Sequence, residues 1–210
     1  MTEHRTMNTI IHAAFRRDLA RFDRALAAFP DGSRSRADQL KLAWDNYAHQ
    51  LDHHHQDEET IFFPALRGLG ATDAMVGELE DEHAAMLRAL EAASTAMTNF
   101  QAEPSAGNAS AARDALGTLR GTLQTHLDHE ERDLEPFAAK QKDTPQMKAA
   151  QNAVRKAHTG EAGSFLAWLS DGAAPADKAA LRREIPAPVL FVLTRVAGRD
   201  YNRRIAPVWA

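Results

Sequence analysis

Residues 53–66 read HHHQDEETIFFPAL and residues 126–137 read HLDHEERDLEPF. Each stretch holds a histidine followed four residues later by a glutamate, His54–Glu58 and His126–Glu130. A step of four is about one helical turn, so both members of each pair lie on one helix face. That face is otherwise apolar. The first pair continues the stripe Leu40, Trp44, Tyr47, Leu51 through to Ile61 and Ala65, which predicts a helix from about Ser35 to Leu66. The second pair continues Leu116, Leu119, Leu123 through to Leu134 and Phe137, which predicts a helix from about Ser110 to Lys140.

Two more stripes flank these. His12, Phe15, Leu19, Phe22 and Leu26 predict a helix from Thr9 to about Phe29, broken by Pro30-Asp31-Gly32-Ser33, with Ser33 or Ser35 capping the next. Met75, Leu79, His83, Met86, Leu90 and Met97 predict another, capped by Thr72 after Gly68 and Gly70 and ended by Glu103-Pro104-Ser105. Four long amphipathic helices with short breaks describe an all-α, up-down-up-down four-helix bundle over residues 1–142. Residues 143–210 are expected to add a C-terminal helical extension packing on the bundle. Its helices are expected at about Gln146–Leu169, Ala176–Glu184 and Val189–Asn202.

Composition agrees with this class and narrows the function. Apolar residues are 44% and charged residues 26% of 210, the balance of a globular chain. No cysteine is present, which excludes disulfides, thiolate zinc sites, iron–sulfur clusters and cysteine nucleophiles. A net charge of −4 gives no reason to expect nucleic acid. The longest apolar run, residues 185–193, carries two prolines and falls far short of a membrane span. A cytoplasmic protein, monomeric or homodimeric, with no nucleic-acid or membrane partner, is the expectation. Residues 178–210 hold seven basic side chains against Glu184 and Asp200, interleaved with apolar ones, and read as a cover for the bundle.

Every bundle stripe therefore carries a histidine: His12, His54, His83 and His126. A single histidine in such a stripe is an ordinary core residue. Four histidines with two glutamates are different, because six polar groups in one core require mutual compensation. Their heights agree as well. His12 lies 19 residues before the first turn, with His54 and Glu58 23 and 27 after it. His83 lies 22 before the third turn, with His126 and Glu130 21 and 25 after it. At about 1.5 Å per residue the six side chains converge on one level to within a turn or so. Two hard cations such as iron or manganese would satisfy them, with a carboxylate bridging ions about 3.5 Å apart. His55 and Glu59 fall beside the stripe and are expected to orient ligands from behind. His53, Asp57, His129 and Glu131 fall further off it, and His4, His49 and His158 have no supporting partners in the pattern.

The two quoted stretches, with DEHAAM at residues 81–86, resemble the two halves and the third-helix motif of the hemerythrin-like, HHE cation-binding family over residues 8–140. The resemblance implies a non-haem di-iron centre of two iron ions, with manganese or zinc as substitutes, bridged by oxo or hydroxo. It implies His12, His54, His83 and His126 as terminal ligands and Glu58 and Glu130 as bridging carboxylates. The sequence departs from oxygen-carrying hemerythrins in two places. Their third helix supplies HxxxH, whereas Leu87 follows His83 here, and their fourth uses a five-residue step to aspartate. One metal then lacks a histidine. Tyr47, seven residues before His54, is a candidate additional ligand, with a core tyrosine as the equal alternative. Similarity to family members with this ligand pattern implies an oxidoreductase acting on hydrogen peroxide, catalase-like, or on another small oxidant. The alternative is an oxygen, nitric oxide or iron-binding sensor or storage protein without turnover, and whether the chain is an enzyme stays open at this stage.

Overall fold

The apolar stripes are realised as helices whose ends are set by the expected breakers. A computed structural model describes residues 5–210. Helix accounts for 85% of it, with no strand among the described residues, so the expected all-α class is observed. The elements are α1 (Met7–Ala27), α2 (Arg34–Asp57), α3 (Phe63–Gly68), α4 (Asp73–Ala102), α5 (Ala106–His129), α6 (Glu135–Gln141), α7 (Pro145–Ala157), α8 (Ala162–Ser170), α9 (Pro175–Glu184), α10 (Ala187–Val192) and α11 (Arg199–Arg204). They group into two units, Asp18–Val154 and residues 5–17 with Arg155–Ala210, so α1 and α7 each run from one into the other.

In the first unit the ends of the helices are tied together. Gly32 takes φ 75° and its N–H reaches the carbonyl of Pro104 at 2.9 Å, while Asp31 Oδ1 accepts from the Ala106 N–H at 2.7 Å. Ser105 caps α5 by accepting from the Asn108 N–H at 3.2 Å. Ser33 stands at the expected N-cap of α2 but makes no side-chain cap bond. At the other end Gly70, φ 100°, closes α3, with the Ala71 N–H on the Leu66 carbonyl at 2.9 Å. Phe22, Trp44 and Tyr47 form a buried aromatic layer: Trp44 stacks on Tyr47 with centroids 5.3 Å apart, and Phe22 meets both edge-on.

The predicted second and fourth helices are not uninterrupted α-helices. Each contains one π-helical turn, at Glu58–Phe62 between α2 and α3 and at Glu130–Leu134 between α5 and α6. The Phe63 N–H reaches the Glu58 carbonyl, and the Glu135 N–H reaches that of Glu130, each five residues back instead of four. Pro64 and Pro136 each follow their glutamate by six residues. A proline inside a helix removes one N–H and crowds the carbonyl four residues before it, so a widened turn lets the helix pass without a break. The extra residue rotates everything downstream. Phe63 and Leu66 are buried, whereas the stripe extrapolated from sequence had placed Ile61 and Ala65 on the core side.

In the second unit the predicted fifth helix is instead two, α7 and α8, separated around Thr159 and Gly160. Thr159 turns its hydroxyl onto the Arg155 carbonyl at 2.8 Å, a local bond that competes with helix continuation, and glycine follows it. Helix α8 packs against a third π-helical turn, Leu193–Ala197, through Gly163 and Gly198. A Cβ on Gly163 would stand 2.4 Å from that of Ala197, so only glycine permits this approach. Tyr201 donates to Asp171 at 3.0 Å and Asn202 to the Thr194 carbonyl at 2.7 Å. Phe15 meets Trp168 at 5.3 Å, and Arg5 pairs with the buried Asp177 at 2.9 Å.

Candidate metal centre

Each π-helical turn begins on the glutamate of a His-x-x-x-Glu pair. The wide turn therefore fixes where the carboxylate sits and which aromatic follows it. After Glu58 it delivers Phe63, whose ring stacks on that of His83 with centroids 5.5 Å apart and planes 16° from parallel. Phe63 also belongs to an apolar cluster with Leu66, Val76, Leu79, Leu134 and Met147, which walls one end of the centre.

Three histidines meet around Glu58. His55, Glu58, His83 and His126 offer ligand atoms that all lie within 4.8 Å of one another. His54, Glu58 and Glu130 do the same, so Glu58 stands in both groups. His54 Nε2 is 3.1 Å from Glu58 Oε1 and His83 Nε2 is 3.4 Å from Glu58 Oε2. Glu58, Glu130, His83 and His126 are buried, and His54 and His55 partly so. His12 lies in the other unit, completely buried on α1. Tyr47, also completely buried, sits in the aromatic layer, and burial with the nearby Asp18 holds its phenol well above its ordinary pKa.

Behind the donors stand carboxylates. Glu59 Oε1 is 3.0 Å from His83 Nδ1 and Glu82 Oε2 is 3.1 Å from His126 Nδ1. A carboxylate at Nδ1 keeps the proton there, which leaves the Nε2 lone pair facing inward. The two Nε2 atoms stand 3.2 Å apart. Burial lowers the pKa of His83, and burial together with His83 lowers that of His126 to about 4, so both rings are neutral near pH 7. Two inward lone pairs at this separation repel unless a cation lies between their directions. Glu58 makes the same demand: its carboxyl is buried against these imidazoles, and burial with the adjacent Glu130 pushes it well above the usual carboxylate range. Imidazole nitrogen with carboxylate oxygen is a donor set suited to iron, manganese or zinc, so the residues fit a metal.

His55, read from the sequence as standing behind the ligands, lies in ring contact with His83 and His126 at 4.5 and 5.5 Å and offers a donor to the first group. Sequence reasoning gave no role to Glu82, which also accepts from His129 Nδ1 at 2.9 Å. Its signal was present, since Glu82 immediately precedes His83, but its target lies 44 residues away on another helix.

Residues 9–138, more than half of the chain, match the hemerythrin HHE cation binding domain, and the chain belongs to that family. It is a hemerythrin-like helical domain with histidine–glutamate clusters able to bind metal, and the family implies that the metal is usually iron. No curated protein and no solved structure gives a match. No helix among the described residues is long and apolar enough to cross a membrane.

Proposed function

We propose that this chain is a di-iron oxidoreductase acting on hydrogen peroxide, which it disproportionates, or on another small oxidant. The observation that carries the reading is Glu58, a buried carboxylate common to two donor groups. His55, His83 and His126 would hold one ion, and His54 and Glu130 the other, with Glu58 bridging and His12 and Tyr47 as the remaining candidate ligands. Bound iron would supply a redox couple and a Lewis acid. Two peroxide molecules give one dioxygen and two waters, so the electrons balance without an outside reductase.

The chain's own residues would position and shield. Glu59 and Glu82 hold the tautomers of His83 and His126, and Phe63 keeps water from the His83 ring. Glu82, His129 and Asp133 form a polar chain from buried His126 to the surface, with His129 Nε2 3.3 Å from Asp133 Oδ2, which gives protons a route. Residues 143–210 serve this reading as an extension to a metal-holding module at 1–142. Hemerythrin-like domains bind small gases, which favours the second reading, a sensor or store without turnover.

The test is metal content, the visible spectrum and oxygen release from peroxide, all on untagged protein. About two irons per chain with steady oxygen release, lost in Glu58→Ala, is the expected result. Iron without oxygen release would move the assignment to the sensor, and zinc or no metal after iron-rich growth would remove iron altogether. A visible band that survives Tyr47→Phe would take Tyr47 out of the ligand set.

A further inference from the structure

Helix α2 carries histidines on two faces. One face presents His54 toward Glu58, and another presents His49 and His53, which the buried centre does not use. We infer that His49 and His53 form a separate surface chelate for a divalent cation that prefers imidazole, such as Zn²⁺, Ni²⁺ or Cu²⁺.

Residues four apart on a helix stand one above the other, with Cβ atoms about 5–6 Å apart. Here the two rings lean together: their centroids are 3.9 Å apart, with planes tilted by 50°. Each offers a ring nitrogen within 4.8 Å of the other's. Two imidazole nitrogens on one tetrahedral ion, at Zn–N distances of about 2.0–2.1 Å, stand roughly 3.3 Å apart. A small side-chain rotation closes that difference, because His49 is exposed and His53 only partly buried.

The surroundings favour a cation. His49, Asp52 and Glu91 line a groove of about 320 Å³ between α2 and α4, together with Leu87, Leu90 and Ser94. Asp52 and Glu91, beside His49 in this groove, raise the local concentration of dications. Neutral imidazole selects late first-row ions over Mg²⁺ or Ca²⁺, and the affinity order places Cu²⁺ above Zn²⁺. The pair would collect such ions on the helix that carries the half-buried donors His54 and His55.

Retention of the untagged full-length protein on a resin charged with immobilised Zn²⁺ tests this, because a tethered ion reaches surface histidines and cannot enter the bundle. The wild-type chain should bind and elute with imidazole. His49→Ala and His53→Ala should each weaken retention by about tenfold or more, since losing either ring ends the intramolecular second contact, whereas His158→Ala should leave it unchanged. Equilibrium dialysis of the iron-loaded protein against Zn²⁺ should find one further ion per chain, absent in His49→Gln. Circular dichroism and iron content equal to wild type in these variants would show that the fold and the buried centre are intact. Wild-type protein that passes through the resin, or retention that persists in the His49→Ala/His53→Ala double variant, would overturn the proposal. So would a His49→Ala variant that loses its iron, since His49 would then belong to the buried centre's support.

Discussion

The two halves that carry His54–Glu58 and His126–Glu130 are built alike and loaded differently. Both place a π-helical turn on the glutamate and a proline six residues later. Yet Glu58 belongs to both donor groups, whereas Glu130 belongs to one. The α5 half has its histidine held by a carboxylate from α4, Glu82 on His126, while His54 in the α2 half pairs directly with its own helix's Glu58. A repeated local motif thus sets position and backbone shape, and its neighbours decide how many partners each copy serves.

The sharpest way to break the comparison is to remove each glutamate. Glu58→Ala should lose nearly all bound metal, because both groups depend on it. Glu130→Ala should keep about half, because the His55–His83–His126 group with Glu58 does not include it. Metal analysis of the two variants decides the matter, and equal losses would erase the asymmetry.

The prolines give a second, smaller test. A proline inside a helix costs up to about 3 kcal/mol relative to alanine. Pro64→Ala and Pro136→Ala should each raise the melting temperature of chelator-treated protein, while the α-helical register they permit moves Glu58 or Glu130 and lowers metal affinity. Pro64→Ala should lower it more, since it also displaces Phe63 from His83. Higher thermal stability with unchanged metal affinity would show that packing, not proline, holds the π-helical turns.

The smallest effect is on the pH dependence of the metal-free protein, and its sign differs between the halves. His126 titrates at about 4 when folded against an ordinary 6.5, so the unfolded chain binds the extra proton between those values. Its contribution is full above 6.5 and is lost as pH falls toward 4. Glu58 is shifted upward from 4.5, so its contribution is full below 4.5 and is lost as pH rises through the folded value. Urea unfolding of chelator-treated Glu58→Gln between pH 4.5 and 6.5 should show stability rising with pH, and His126→Leu should show it falling. Slopes of the same sign in both variants would separate these residues from the pH response.

The four stripes were legible because burial imposes a 3.6-residue period, and all five named positions from His12 to Leu26 are buried as that period requires. The family and the histidine–glutamate pairs were legible for the same reason, since spacing along a helix is spacing in space. The π-helical turns were not, although Pro64 and Pro136 marked them, because an α-helical period was extended through a point where the backbone gains a residue. The break between α7 and α8 was missed at Thr159 and Gly160, where local side-chain bonding outweighs a weak apolar pattern.

The sequence by itself determined the long amphipathic helices and that their apolar stripes carry histidines, with a glutamate one turn on in two of them, because burial on one helix face imposes that period. Only the tertiary structure decided that His55 faces His83 and His126, that Glu59 and Glu82 hold those two rings, and that Glu58 serves both groups. These are relations between helices, set by rotation about each helix axis, and one inserted residue per helix changes that rotation by about 100°.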